Sequence, residues 1–241
     1  MGLKEAQNYP EDFDGIPAGA PGWWETRLLP FLVRQDFLNL PSPAPGHLTA
    51  PMFLLLLQEM VTQCDPQDGV TDGIIMQPTS CNFSPEALLC SPDRTKASGC
   101  FKQPQIDTIN RLLNDWTDSK GNLIFPALAM GSYFRNNSDV QDALAHIATT
   151  YIVNMLLNDT NWDWRTFNDS LVLLADRIDP CNANTDQFDM TPFKQRGGKS
   201  NSLSRIERRV RSATSEHLLL QQCRRVHGPI SFRLLPAVPH P

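Results

Sequence analysis

The chain has 241 residues, 41% of them hydrophobic, with a formal net charge of -5. That length and apolar share allow a substantial core, and the acidic balance gives no reason to expect nucleic acid or an anionic membrane surface as a partner. The longest apolar run, Met52 to Leu57, falls far short of the roughly 20 residues that span a bilayer, so no membrane helix is expected.

In chain order, residues 4–7 read as the end of a helix, stopped by the turn at Tyr9-Pro10-Glu11-Asp12. Phe13-Asp14-Gly15-Ile16, running on to Ala18-Gly19-Ala20-Pro21, reads as a short buried strand with a tight exit. A helix end followed at once by a strand suggests an α/β sheet entered midway. Pro41 to Gly46 is a proline-rich loop, and residues 49–63 follow as a helix, with Thr49 as N-cap, Pro51 in the first turn and Met52, Leu55, Leu56 and Met60 facing the core. Further helices are expected over residues 105–116, 140–157 and 166–177, with a Gly121-Asn122 turn between the first two.

The start of the chain, Met1 to Gln7, has no apolar stretch of the kind an export signal needs. The interior points the other way. Six cysteines (Cys64, Cys81, Cys90, Cys100, Cys181, Cys223) form no CxxC pair and have no accompanying histidine cluster, which favours disulfides over zinc or redox chemistry. Asn82, Asn136, Asn158 and Asn168 each open an Asn-x-Ser/Thr sequon, as in a glycoprotein made for the secretory route.

The most specific stretch is Cys64-Asp65-Pro66-Gln67-Asp68-Gly69-Val70-Thr71-Asp72-Gly73-Ile74. Three carboxylates so close together repel one another in a compact loop unless a cation sits among them. Calcium, a hard ion that takes six to eight oxygens, suits such a loop. The spacing is not that of an EF-hand, and a solvated Asp/Gly turn is the alternative reading.

This motif resembles the lid calcium site of the fungal tannase and feruloyl esterase family. The resemblance implies calcium held by Asp65, Asp68 and Asp72 together with the backbone carbonyls of Val70 and Ile74, and disulfides joining Cys64 to Cys81 and Cys90 to Cys100. Flanking stretches agree: Lys4-Glu5-Ala6, Tyr9 to Gly15, Ala18-Gly19-Ala20-Pro21-x-Trp23-Trp24, Trp162-Asp163-Trp164 with Phe167, and Phe193 followed by Gly197-Gly198-Lys199.

The fold so implied is a partial member of the α/β hydrolase family: a mostly helical, calcium-binding lid domain with a remnant of the α/β core. Residues 1–21 would be core remnant, 22–190 lid and 191–199 the return toward the core. With so little sheet, Phe13, Ile16 and the Trp23-Trp24 pair are expected to be short of partners. The implied activity is carboxylic ester hydrolysis by a serine mechanism, on esters of phenolic acids, by an extracellular enzyme.

The family's nucleophile lies in a Cys-Ser-x-Gly-Gly elbow directly before the segment matched by Gly2 to Ala6, and its acid and histidine lie after the Gly-Gly-Lys matched by Gly197 to Lys199. Neither pattern occurs in this sequence, so the chain by itself is expected to be inactive. The alternative is a non-catalytic fragment or a calcium-stabilised binding module. Other catalytic readings fail on spacing: there is no GxSxG, HExxH or GxGxxG, and Phe193 stands where a P-loop ending at Gly198-Lys199-Ser200 needs glycine. The five histidines (His47, His146, His217, His227, His240) are scattered.

From Ser200 the text changes character. Seven arginines (Arg205, Arg208, Arg209, Arg211, Arg224, Arg225, Arg233) stand against Glu207 and Glu216, making this stretch +5 and the preceding part -10. It is Ser, Arg and Leu rich and then Pro rich, and is read as an unrelated, disordered tail over residues 200–241 rather than as a basic RNA-binding helix.

Overall fold

The computed structural model describes residues 2–19, 22–91, 99–131 and 147–203. Helix α1 (Gly2–Asn8) buries Leu3 and Ala6. Pro10 follows it in a turn where the Asp12 N–H donates to the Tyr9 carbonyl at 3.1 Å. Strand β1 (Gly15–Gly19) then alternates exposed and buried residues, turning Ile16 and Ala18 inward, the period-two pattern of a strand with one covered face.

The neighbour of β1 comes from the far end of the described chain. A last strand, Lys199–Leu203, runs parallel to β1, with Gly15 opposite Lys199 and Gly19 opposite Leu203. Parallel neighbours require a crossover connection. Here everything between the two strands serves as that connection, so the helical middle is one long excursion between adjacent strands. The last strand continues through Leu203, past the boundary at residue 199 expected from composition.

Side chains pin this junction. The Arg196 guanidinium donates to the Pro10 and Phe13 carbonyls and pairs with Asp14 at 2.7 Å, while the Lys199 N–H donates to the Asp14 carbonyl at 2.9 Å. An exposed ion pair of this kind contributes at most about 1 kcal/mol, so the backbone ladder and apolar cover matter more. Ala6 and Ile16 pack with Phe193, and Leu3 and Ala18 with Trp23. The expectation that Ile16 and the Trp23-Trp24 pair lack partners is thereby corrected: Ile16 and Trp23 are 7% and 2% exposed and Trp24 is half-buried against the same cluster, whereas Phe13 stays out at 48%.

The excursion is built around two larger cores. The first gathers helix α2 (Glu25–Leu38), the hairpin of β2 (Trp116–Thr117) and β3 (Leu123–Phe125), the helical residues 147–157, and a helix over Ser170–Ile178. The second gathers α3 (Ala50–Cys64) and α4 (Gln103–Leu113) around Phe53, Leu56, Phe101 and Ile106. Helix α2 reaches both, through Phe31 and Leu32 on one side and Leu38 on the other. In chain order the remaining elements are α5 (Ser170–Ile178), α6 (Thr191–Gln195) and β4 (Lys199–Leu203).

Helix α2 carries Pro30 in its interior, where a proline costs about 3 kcal/mol. Burial offsets that cost: Phe31 and Val33 are each 1% exposed and Leu28 6%, and each such side chain contributes about 1.5–3 kcal/mol. Helix α3 forms as expected, but its covered face is Phe53, Leu56, Met60 and Cys64, with Met52 and Leu55 half-buried at its edge. Thr49 occupies the N-cap position without a side-chain bond.

The helix expected over residues 105–116 ends at Leu113, and Trp116 belongs instead to β2. The Gln105 side chain caps α4 by accepting from the Lys102 N–H at 2.9 Å. The Gly121-Asn122 turn forms the hairpin tip, where the Asp118 carboxylate accepts from both nitrogens of Asn122 at 2.8 Å. These bonds hold the Asp118 pKa below its usual value. The helix expected over 140–157 is described from residue 147 and closes as a π-helix, Ile152–Leu157, with Asn158 left-handed at φ 50°. The one expected over 166–177 is a 3-10 turn, Trp164–Thr166, followed by α5.

Candidate functional site

Helix α3 runs directly into the acidic loop. Cys64 is its last residue, Asp65–Asp68 form a 3-10 turn, and Gly69 leaves that turn at φ 92°. Gly73 repeats the left-handed step at φ 80°, a conformation glycine adopts without steric cost. The loop folds around Asp65, which is only 3% exposed. Its Oδ1 accepts from the Asp72 N–H at 3.2 Å and its Oδ2 from the Gly73 N–H at 3.0 Å. Asp68 accepts from the N–H groups of Val70 and Met76, and Asp72 from that of Ile74.

Each carboxylate therefore caps a turn of its own loop, and among the described residues no three His, Cys, Asp or Glu side chains come together as a metal cluster. The donor chemistry nonetheless fits a hard cation. Asp65 is a buried carboxylate whose described partners are backbone N–H groups rather than a basic side chain, and an ionised carboxylate has acceptor sites beyond the two used here.

Two disulfides brace the same region. Cys64 joins Cys81, closing the acidic loop at its base with Cα atoms 5.3 Å apart, and Cys90 joins Cys100 with Cα atoms 4.9 Å apart. Both are the pairings implied by the resemblance. The backbone assists each: the Asn82 N–H donates to the Gln67 side chain in the 3-10 turn and the Ser84 N–H to that of Gln63 at the end of α3, while the Cys90 N–H donates to the Phe101 carbonyl and the Phe101 N–H to the Leu88 carbonyl across a small bridge. Cys181 is exposed and forms no disulfide among the described residues. Cys223 lies outside the described residues.

Asn82, Asn158 and Asn168 are all exposed, whereas Asn136 lies outside the described residues, as do His146, His217, His227, His240 and residues 204–241. His47 lies against the Leu40 carbonyl through Nδ1 at 3.0 Å, in a loop-bracing position.

A polar junction missed by sequence reasoning ties the end of the excursion to helix α1 and to the excursion's own start. Lys4 Nζ donates to the Asn184 carbonyl at 2.6 Å, Gln7 Nε2 to the Thr185 carbonyl at 2.9 Å, and the Thr185 N–H to the Trp23 carbonyl at 2.7 Å. Nearby, Arg27 donates to Asp176 Oδ2 from both Nε and Nη2, lies 4.2 Å from the Trp24 ring centroid and donates to the Ile124 carbonyl. No local spacing signals these contacts, because the partners lie about 100 to 180 positions apart. Elsewhere, burial lowers the Arg34 pKa to about 10, over the Trp116 ring. Burial, reinforced by Asp179, Glu25 and Asp176, raises the Tyr151 pKa to about 12.

Two adjacent parallel strands carrying a large helical excursion define this chain, as a class, as part of an α/β-hydrolase-type fold. The solved feruloyl esterase B from Aspergillus oryzae superposes with a TM-score of 0.87 at 27% identity, over 98% of this chain and 49% of that one. Tannin acyl hydrolase from Aspergillus niger shares the fold, with a TM-score of 0.74 at 16% identity.

The family model for tannase and feruloyl esterase matches residues 1–217, and the chain belongs to that family. This match, like β4, extends past residue 199. The chain is 33% identical over 204 residues to probable feruloyl esterase B-1 of Aspergillus oryzae, covering 83% of this chain and 37% of that protein. It is 30% identical over 200 residues to probable feruloyl esterase B-2 of Aspergillus terreus, covering 38% of it. The chain thus spans well under half the length of these curated relatives.

Proposed function

We propose that these residues form the lid and adjoining strands of a carboxylic ester hydrolase that acts on esters of phenolic acids. The observation that carries this reading is the parallel pairing of β1 with β4, Gly15 opposite Lys199, which makes the helical middle an insertion between neighbouring strands. The names of the relatives supply the substrate class. A lid of this kind walls the ester in, excludes water and fixes the acyl group's orientation, so that binding energy is used where the bond breaks.

A serine esterase also needs a hydroxyl nucleophile, a histidine that takes and returns the proton, and an acid that orients the histidine. No Cys-Ser-x-Gly-Gly or GxSxG elbow occurs in this sequence, and His47 is engaged with Leu40. In this reading hydrolysis rests on a nucleophile elbow that this sequence lacks, and the chain by itself is expected not to turn over ester. We further propose that Asp65, Asp68, Asp72 and the Val70 and Ile74 carbonyls hold calcium in a structural role, supported by the buried Asp65 carboxylate. The two disulfides support an extracellular setting, and among the described residues no helix is long and apolar enough to cross a membrane.

The test is a chimaera in which residues 2–199 replace the matching segment of feruloyl esterase B from Aspergillus oryzae. Hydrolysis of methyl ferulate or methyl gallate by the chimaera, with none by the isolated chain, is the expected result. A folded chimaera without turnover on any phenolic ester rules the lid reading out.

A further inference from the structure

We propose that Asn158 and Asn168 carry N-linked glycans and that Asn82, although exposed, does not. This inference rests on the extracellular reading above. The chemistry is group transfer from a lipid-diphosphate oligosaccharide. Asparagine Nδ2 bonds to the anomeric carbon, the bond from that carbon to the phosphate oxygen breaks, the lipid diphosphate leaves with the electron pair, and the amide gives one proton to a base. The folded protein must leave that nitrogen in solvent, and the chain near it must be able to turn back on itself.

Asn158 meets both demands. It ends the π-helix in a left-handed turn at φ 50°, and Asn158, Asp159 and Thr160 are all exposed. At Asn168 the local turn is already formed: Oδ1 accepts from the Ser170 N–H at 3.1 Å and from the Ser170 hydroxyl. This i to i+2 bonding is available to an unfolded chain as well. Nδ2 keeps one bond at 3.4 Å, to the Thr166 carbonyl.

The Asn82 sequon differs. Pro85 follows Ser84 directly, and a proline drives the preceding residue extended; Ser84 sits at φ -116°, ψ 105°. Its hydroxyl donates to Glu86 at 2.8 Å instead of turning back to Asn82. The two favoured sequons also bracket the loop that carries Trp162, Trp164 and Arg165, whose regular structure is one 3-10 turn, Trp164–Thr166. Glycans at its two ends would flank that loop.

The experiment expresses the full chain behind a secretory leader in yeast and digests it with peptide N-glycosidase in 18O water, which labels each formerly glycosylated asparagine. Label on Asn158 and Asn168 but not on Asn82, with one glycan lost in each of Asn158→Gln and Asn168→Gln, is the expected result. The Cys64–Cys81 peptide in the same digest reports passage through an oxidising compartment. Oxidised cysteines with unlabelled Asn158 and Asn168, or with label on Asn82, overturn the proposal alone. Reduced cysteines with no label overturn the extracellular reading and the glycans with it.

Discussion

Asn184 and Thr26 hold each other through a reciprocal pair of hydrogen bonds, 158 positions apart in sequence. The Thr26 N–H donates to Asn184 Oδ1 at 3.1 Å and Asn184 Nδ2 donates to Thr26 Oγ1 at 2.9 Å. Thr26 lies in the first turn of α2, where backbone N–H groups have no partner within the helix, and the N-cap residue Trp24 makes no side-chain cap. Asn184 supplies the missing acceptor from the other end of the excursion. Asn184→Ala should lower stability by about 1–3 kcal/mol, because it strands a buried donor. A denaturant midpoint shift at unchanged slope measures this, and a shift below about 0.5 kcal/mol would mean that water replaces the asparagine.

The calcium proposal has a thermal readout. A ligand that binds the folded state alone raises the melting temperature by mass action. Calcium should therefore raise Tm, chelation should reverse the rise, and Asp68→Ala should abolish it. An unchanged Tm in the unmutated chain would leave the three aspartates as turn caps.

Removing the disulfide at the base of the acidic loop should be costly. Cys64 and Cys81 are 17 positions apart, and closing a loop of that size stabilises by about 3 kcal/mol in the chain-entropy model. The double variant Cys64→Ala, Cys81→Ala should lose about that much in chemical denaturation. It should also respond less to calcium than the parent, since the loop's ends are no longer tied.

Tyr151 gives a pH prediction. It is 8% exposed and its buried hydroxyl has no hydrogen-bond partner among the described residues. Its folded pKa of about 12 stands above the ordinary tyrosine value of 10.0, so between those values the folded state keeps a proton that the unfolded state has lost. Stability should fall as pH rises from 10.0 toward about 12. Tyr151→Phe should flatten that fall and be neutral or stabilising at pH 7, because it removes a buried hydroxyl with no bond to lose. A fall as steep in the variant as in the parent would remove Tyr151 as the cause.

Ser200 tests the strand pairing. It stands opposite Ile16 in the parallel register, and its buried hydroxyl has no partner among the described residues. Ser200→Ala should leave stability unchanged or raise it by about 1 kcal/mol. A clear loss would show that the hydroxyl is bonded in solution.

What was legible in the sequence was local. The acidic loop declared itself because its chemistry lies within one short stretch, Asp65 to Asp72, and the neighbouring cysteines could be paired through the family resemblance that this loop carries. Helix α3 and strand β1 could be read from spacing and from Gly and Pro punctuation, since those signals act over a few residues. Helix α2 could not, because Pro30 argues against it locally and only the burial of Phe31 and Val33 argues for it. Trp116 left its expected helix for the same kind of reason: a strand pairing with Phe125 is not encoded in helical spacing. The sequence by itself thus determined the family and the loop that marks it. Only the tertiary structure decided that Gly15 lies beside Lys199 and that Asn184 caps α2, since hydrogen bonds and apolar contacts between distant residues depend on how the chain returns on itself rather than on the order of residues along it.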